Sequence, residues 1–257
     1  MSARSRGGRA LDAIVLAAVP VVLALAALSG FAQAALLSLA VVVAAVCLLF
    51  AGFERSKPGL RQVMPAVVLG AIAAAGRVLF APLPDCKPVS AICILAGAVF
   101  GRRCGFMVGA LAALVSNFFF GQGPWTPWQM YGWGLVGYLA GVLADAGVFE
   151  RFRPTVYVYG FCSALLYGVI LDSWHVIGYV NPLTWQGALL AYGAGMPFNV
   201  VHGVATVAFL LVIWAPWRRK LERIRAKYAL VGEGQYPVRA TMRLEQKSAG
   251  RGRSPRC

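Results

Sequence analysis

Between Asn117 and Gln129 the chain reads N-F-F-F-G-Q-G-P-W-T-P-W-Q, a run without charge lying between two long hydrophobic segments. Trp125 and Trp128 offer flat apolar faces, while Asn117, Gln122 and Gln129 offer neutral hydrogen-bonding groups, a mixture that suits the rim of a small-molecule site. The competing reading is an aromatic belt around a loop at a membrane–water interface, where Trp is favoured and Pro and Gly stop helices. Arg77 is a second candidate, because a guanidinium within an apolar segment is costly and normally faces protein or water. Its structural alternatives are snorkelling to an interface or pairing with Asp85. Lys87, in A-P-L-P-D-C-K-P, His175, in D-S-W-H-V, and Asn199 complete the candidate substrate-binding set. His202 reads as a hydrogen-bonded packing residue.

Several chemistries find no support. No G-x-x-x-x-G-K-[ST] occurs, so any ATP must be used by a partner. Asp145 and Asp172 fall near opposite ends of their segments, and Asp12 and Glu54 near one side, which disfavours a self-sufficient proton-driven carrier. The cysteines form no C-x-x-C pair, and His175 and His202 lie at different depths, so neither a metal site nor another cofactor is expected. No nucleophile and acid–base pair is visible, which weighs against a membrane enzyme or assembly protein.

These residues must be positioned by membrane helices. With 60% hydrophobic and 13% charged residues, the 257-residue chain cannot hide its apolar surface in one soluble core. Residues 13–53, 104–144 and 173–217 carry no Asp, Glu, Lys or Arg. Charges, Pro and Gly divide the chain into eight expected helices at 11–29, 34–53, 63–80, 88–101, 104–120, 129–146, 155–173 and 190–214. With the N-terminus inside the cell, segments 1–10, 54–62, 102–103, 149–154 and the tail from 218 hold 3, 3, 2, 2 and 12 Lys or Arg, 22 of the 24 in the chain. The positive-inside rule then places both termini in the cytoplasm. The apolar N-terminal stretch is too long for a cleavable signal peptide.

The fourth segment is too short to cross a bilayer comfortably, and the last carries Gly193, Gly195 and Pro197, so both are expected to border a cavity. In the third, Ala66, Gly70 and Ala74 form a small-residue stripe, with Ala71 and Ala75 a second, either of which suits contact with another helix or subunit.

From Arg77 the order R-V-L-F-A-P-L-P-D-C-K-P-V-S-A-I-C-I-L-A-G, followed by G-F-M-V-G-A-L-A-A-L-V-S-N-F-F-F-G-Q-G-P-W-T-P-W-Q-M, resembles the substrate-binding S components of energy-coupling factor vitamin transporters. The resemblance covers roughly 63–217 and implies an all-α integral membrane protein with a six-helix core. It also implies capture of a vitamin from outside and delivery through a separate membrane scaffold driven by two ATPases. The family's scaffold-contacting A-x-x-x-A pattern falls in its first core helix; Gly70 to Ala74 departs from it and Ala71 to Ala75 keeps it. The Trp-Pro-Gln-rich segment is most similar to the corrinoid-type branch, whose substrate is cobalamin. This chain departs from the six-helix plan by two extra N-terminal spans within 11–62, after a short cytoplasmic segment 1–10. The basic tail 218–257 is expected to meet anionic lipid rather than nucleic acid, with its first half helical and its last dozen residues disordered.

Overall fold

The computed structural model describes residues 3–28, 34–55 and 60–228. Among them the fold is all-helical, with α1 (Ala3–Leu28), α2 (Ala34–Arg55), α3 (Leu60–Leu79), α4 (Val89–Phe100), α5 (Arg102–Phe120), α6 (Trp125–Asp145), α7 (Val148–Arg151), α8 (Thr155–Tyr179) and α9 (Trp185–Tyr228). By length and composition, α5, α8 and Trp185–Lys227 of α9 can each cross a membrane. The apolar parts of α1, α2, α3 and α4 are shorter.

The short fourth helix is present: α4 has 12 residues and is buried almost throughout. A helix apolar on every side has to be buried, among other helices or in lipid, and α4 is buried among helices. It lies between α3, α5, α6 and α9, and Gly101 alone joins it to α5 with φ +93°, a conformation that glycine adopts without strain.

Glycines set the approach of α4, α5 and α6. A methyl group on Gly105 would lie 2.7 Å from both the Gly97 Cα and the Gly137 carbonyl carbon. One on Gly109 would lie 2.5 Å from the Gly134 nitrogen, and one on Gly141 2.5 Å from the Arg102 backbone. Gly105 and Gly109 repeat at four-residue spacing on α5, as do Gly137 and Gly141 on α6, so whole turns of backbone meet along a seam.

The other face of α6 receives α1 and α2. Trp128, Tyr131 and Tyr138 pack there with Leu16, Val19, Val42, Val46 and Leu49, and the Tyr131 hydroxyl donates to the Leu16 carbonyl at 2.8 Å. Arg103 ties the pair to the bundle by donating from Nε and Nη2 to the Asp12 carboxylate at 2.7 and 3.1 Å, and from Nη1 to the Gly52 carbonyl at 3.2 Å. At the same end Arg102 pairs with Asp145 at 2.5 Å and Arg218 with Glu150 at 2.6 Å. We call this the basic end, and the opposite end, with segments 80–88, 121–124 and 180–184, the loop end.

Several boundaries differ from the sequence reading. Helix α1 starts at Ala3, so part of the basic N-terminal segment is helical. Helix α8 runs to Tyr179, which puts His175 on a helix rather than in a loop. Gly193, Gly195 and Pro197 do not interrupt α9, which continues for 44 residues and includes the first part of the basic tail. Residues 229–257, the rest of the proposed lipid-facing tail, lie outside the described residues.

Because the seam is backbone against backbone, no rotamer change can absorb an added methyl. Gly137→Ala should destabilise by about 1–3 kcal/mol or more, whereas Gly193→Ala, whose added methyl meets nothing within 4 Å, should be neutral or slightly stabilising. Thermal unfolding of the two variants in the same detergent measures the difference.

Candidate functional site

Arg77 is in the last turn of α3, at the loop end, and is part-buried. Its Nη1 donates to Ser116 Oγ at 2.7 Å and to Asn117 Oδ1 at 2.6 Å. Its guanidinium carbon lies 4.7 Å from the ring centroid of Phe120 and 4.9 Å from that of Trp133. Cation–π contact of this kind compensates part of the lost hydration without supplying a negative charge. Arg77 does not pair with Asp85, and among the described residues no carboxylate forms an ion pair with it.

Asn117 is fully buried and links three helical segments. Its Oδ1 accepts from Arg77, while its Nδ2 donates to Thr126 Oγ1 at 2.9 Å and to Gln129 Oε1 at 2.8 Å. Thr126 Oγ1 donates to Gln122 Oε1 at 2.9 Å, and Gln122 Nε2 donates to the Leu114 carbonyl at 3.0 Å. Gln129 also lies close to Tyr167 on α8. Tyr167 stacks on Trp133 with centroids 4.6 Å apart and lies 5.3 Å from the His202 ring on α9. His202 Nε2 is 2.8 Å from Ser90 Oγ on α4, so it is the hydrogen-bonded packing residue the sequence implies. Side chains from α3, α4, α5, α6, α8 and α9 thus join one polar cluster in an apolar bundle.

Four candidates are placed elsewhere. Lys87 Nζ donates to the Phe80 and Leu83 carbonyls at 3.1 and 2.6 Å, closing the chain just past α3. Trp128 is fully buried on the α1 side of α6, where its indole nitrogen has no hydrogen-bond partner among the described residues. It borders an apolar cleft of about 520 Å³ with Val19, Leu166, Ser173, Trp185 and Tyr192. His175 is exposed and stacks on Tyr179 at 5.5 Å. Asn199 donates to Asp172 at 2.8 Å and joins α8 to α9. Trp125 stays at the loop end in edge contact with Trp174 at 6.2 Å.

In the loop above the cluster, Asp85 has φ +51°, a conformation that Asp tolerates better than most residues. Burial pushes its carboxyl above the usual carboxylate range, and the Lys87 charge opposes that rise.

Of the small-residue stripes on α3, Ala66, Gly70 and Ala74 are buried. A methyl on Gly70 would lie 3.0 Å from the Leu111 Cβ on α5, so this stripe is occupied by packing within the chain. Ala71 and Ala75 are exposed.

Ser90, Ser116, Thr126, Trp133 and Tyr167 are members of the cluster beyond the sequence candidates. Trp133 lies one helical turn after Gln129 and Ser116 next to Asn117, which is the only sequence signal that marks either.

Residues 57–223 match the profile of DUF6580, a family of unknown function. The chain belongs to this family. The DUF6580 region contains α3 to α8 and nearly all of α9, hence every residue of the cluster, and leaves out α1 and α2. Comparison with curated proteins gave no match. Comparison with solved structures gave none either.

Asn117→Ala should cost about 2–3 kcal/mol, because it leaves Arg77, Thr126 and Gln129 short of partners in a buried setting. Gln122→Ala, at an exposed position, should change stability by about 0.5 kcal/mol or less. Denaturation midpoints of both variants test this ranking.

Proposed function

We infer that this protein is a membrane-embedded substrate-capture subunit, similar to the S components of energy-coupling factor transporters. It takes a vitamin or related micronutrient from outside the cell and delivers it through a separate membrane scaffold and two ATPase subunits. The observation that carries this reading is Arg77 itself, a cation with no carboxylate partner among the described residues, held by side chains of α5 and α6 at the end away from the basic segments, beside a cluster that extends through Tyr167 to α8, α9 and α4. A buried charge left unmatched by its own chain is costly, and a ligand that completes it repays part of that cost on binding.

In this reading the chain crosses the cell membrane eight times with both termini in the cytoplasm. Helices α3 to α6, α8 and α9 form the six-span core, and α1 and α2 are the added pair. Arg77, Asn117 and Gln129 hold the substrate, with Gln122 and Trp125 at the rim. The contacts of Lys87, Trp128, His175 and Asn199 favour supporting roles. Cobalamin leads as substrate through the corrinoid-type resemblance. The lack of a phosphate-cradling loop fits a division of labour with separate ATPases. The positive charge near 218–228 suits anionic lipid head groups.

Docking on the scaffold is assigned to the exposed Ala71 and Ala75. They adjoin Val68 and Ile72, which border an apolar cleft of about 660 Å³ with Met64, Trp217 and Leu221. Small side chains beside an apolar groove allow the close approach of a partner helix.

Two measurements test the assignment. Mass spectrometry of protein purified in mild detergent from cells grown in rich medium should find a vitamin-class compound near one per chain. An empty protein that also ignores added vitamins would instead favour a self-contained carrier or an enzyme. Ala71→Leu should lower uptake in cells several-fold while leaving ligand affinity of the purified protein unchanged; normal uptake would remove the stripe from the docking surface.

A further inference from the structure

The hydrogen-bond inventory of the cluster is unbalanced. Arg77 Nη1 has two hydrogens, and both are taken, by Ser116 and Asn117. Nε and Nη2 have no partner among the described residues, and Phe120 and Trp133 cover the guanidinium with ring carbon rather than acceptors. Trp133 is only 2% exposed, and its indole N–H is likewise unpartnered. The nearby acceptors, Asn117 Oδ1 and Gln129 Oε1, are already engaged. Among the described residues the cluster therefore has donors to spare and a positive charge that no carboxylate pairs; the Tyr167 hydroxyl and the Asp85 carboxylate lie nearby, but neither takes a hydrogen bond from Arg77.

The free Nε/Nη2 edge is the side of a guanidinium whose two parallel N–H bonds match the two oxygens of a carboxylate. A single carboxylate also balances the charge, whereas a phosphate dianion would leave excess negative charge in an apolar bundle. Lys87 offers little further neutralisation by contact, since its ammonium is held by two backbone carbonyls. We propose that the Arg77 site recognises a small molecule bearing one carboxylate, gripped by the Nε/Nη2 edge of Arg77. This rests on the capture reading above and narrows its substrate class to an acid, which sets aside cobalamin, whose peripheral groups are amides.

The test uses full-length protein in lipid nanodiscs, freed of bound ligand, and three pairs of probes that differ in the acid group: nicotinate and nicotinamide, biotin and biotinamide, pantothenate and panthenol. Affinities are measured by calorimetry for the wild type, Arg77→Gln and Asn117→Asp. The Asn117→Asp variant places a carboxylate where Oδ1 now accepts from Arg77, and the Gln129 amide can turn its NH₂ toward it, so the fold is retained while the guanidinium is neutralised from within. At least one acid should bind about tenfold or more tighter than its neutral counterpart, and both variants should erase that preference. If Arg77→Gln fails to fold, Asn117→Asp decides alone.

A neutral probe or a neutral co-purifying compound that binds as tightly as any acid overturns the carboxylate assignment and leaves the capture reading standing. So does an acid preference that survives Asn117→Asp. If no probe binds and nothing co-purifies, both readings fall.

Discussion

The contact on which the rest of this structure depends is the one between bare backbones in the centre of the bundle. Where α4, α5 and α6 meet, Gly97, Gly105, Gly109, Gly137 and Gly141 bring backbone against backbone, and Gly134 makes room for the Phe106 ring. Helices in a membrane gain little from the hydrophobic effect when they associate, so dense packing over many small contacts has to supply the attraction. Position follows from this seam. Asn117 lies about two turns beyond Gly109 on α5, and Gln129 about two turns before Gly137 on α6, so each extends a glycine face toward the loop end. Their 2.8 Å hydrogen bond is a consequence of the spacing set deeper in the bundle.

The two ends of the bundle handle charge differently. At the basic end Arg102, Arg103 and Arg218 each have a carboxylate within 2.5–2.8 Å, supplied by Asp145, Asp12, Glu150 and Glu222. At the loop end Arg77 has, among the described residues, a hydroxyl, an amide oxygen and ring faces. An opposite charge at about 4 Å with an effective dielectric near 20 contributes about 4 kcal/mol. Neutral acceptors recover a smaller part of that. The same residue type is therefore structural at one end and electrically incomplete at the other.

Much of the fold was legible in the sequence, and the failures have specific causes. The charge-free runs correctly mark helices, and Val89 to Phe100 is short because Pro88 and Gly101 bound it. Arg77, Asn117, Gln122 and Gln129, chosen for being polar among apolar neighbours, do come together. Trp128 does not join them. The Pro-rich stretch around it reads as a loop, but Pro124 and Pro127 sit at the start of α6, where missing N–H groups cost nothing. In a helix, residues 128 and 129 point about 100° apart, so Gln129 meets the cluster and Trp128 meets α1. The Gly193 to Pro197 stretch is overridden in the same way, because α8 packs along α9 and sustains the helix past one missing hydrogen bond. Trp133 and Tyr167 stayed hidden because an aromatic in an apolar segment looks the same whether it fills a core or covers a cation. The seam glycines were equally hard to single out in a chain with 29 of them.

Helix α9 carries His202 beside the cluster and, 23 residues later, Arg225, whose Nη1 donates to the Val99 carbonyl at the far end of α4 at 2.7 Å. Ser90 and Val99 belong to one helix, and His202 and Arg225 to another, so the two rods are riveted at both ends. Two hydrogen bonds, nine residues apart along α4, fix the register of α9 against it, so a slide of one helix along the other has to break both.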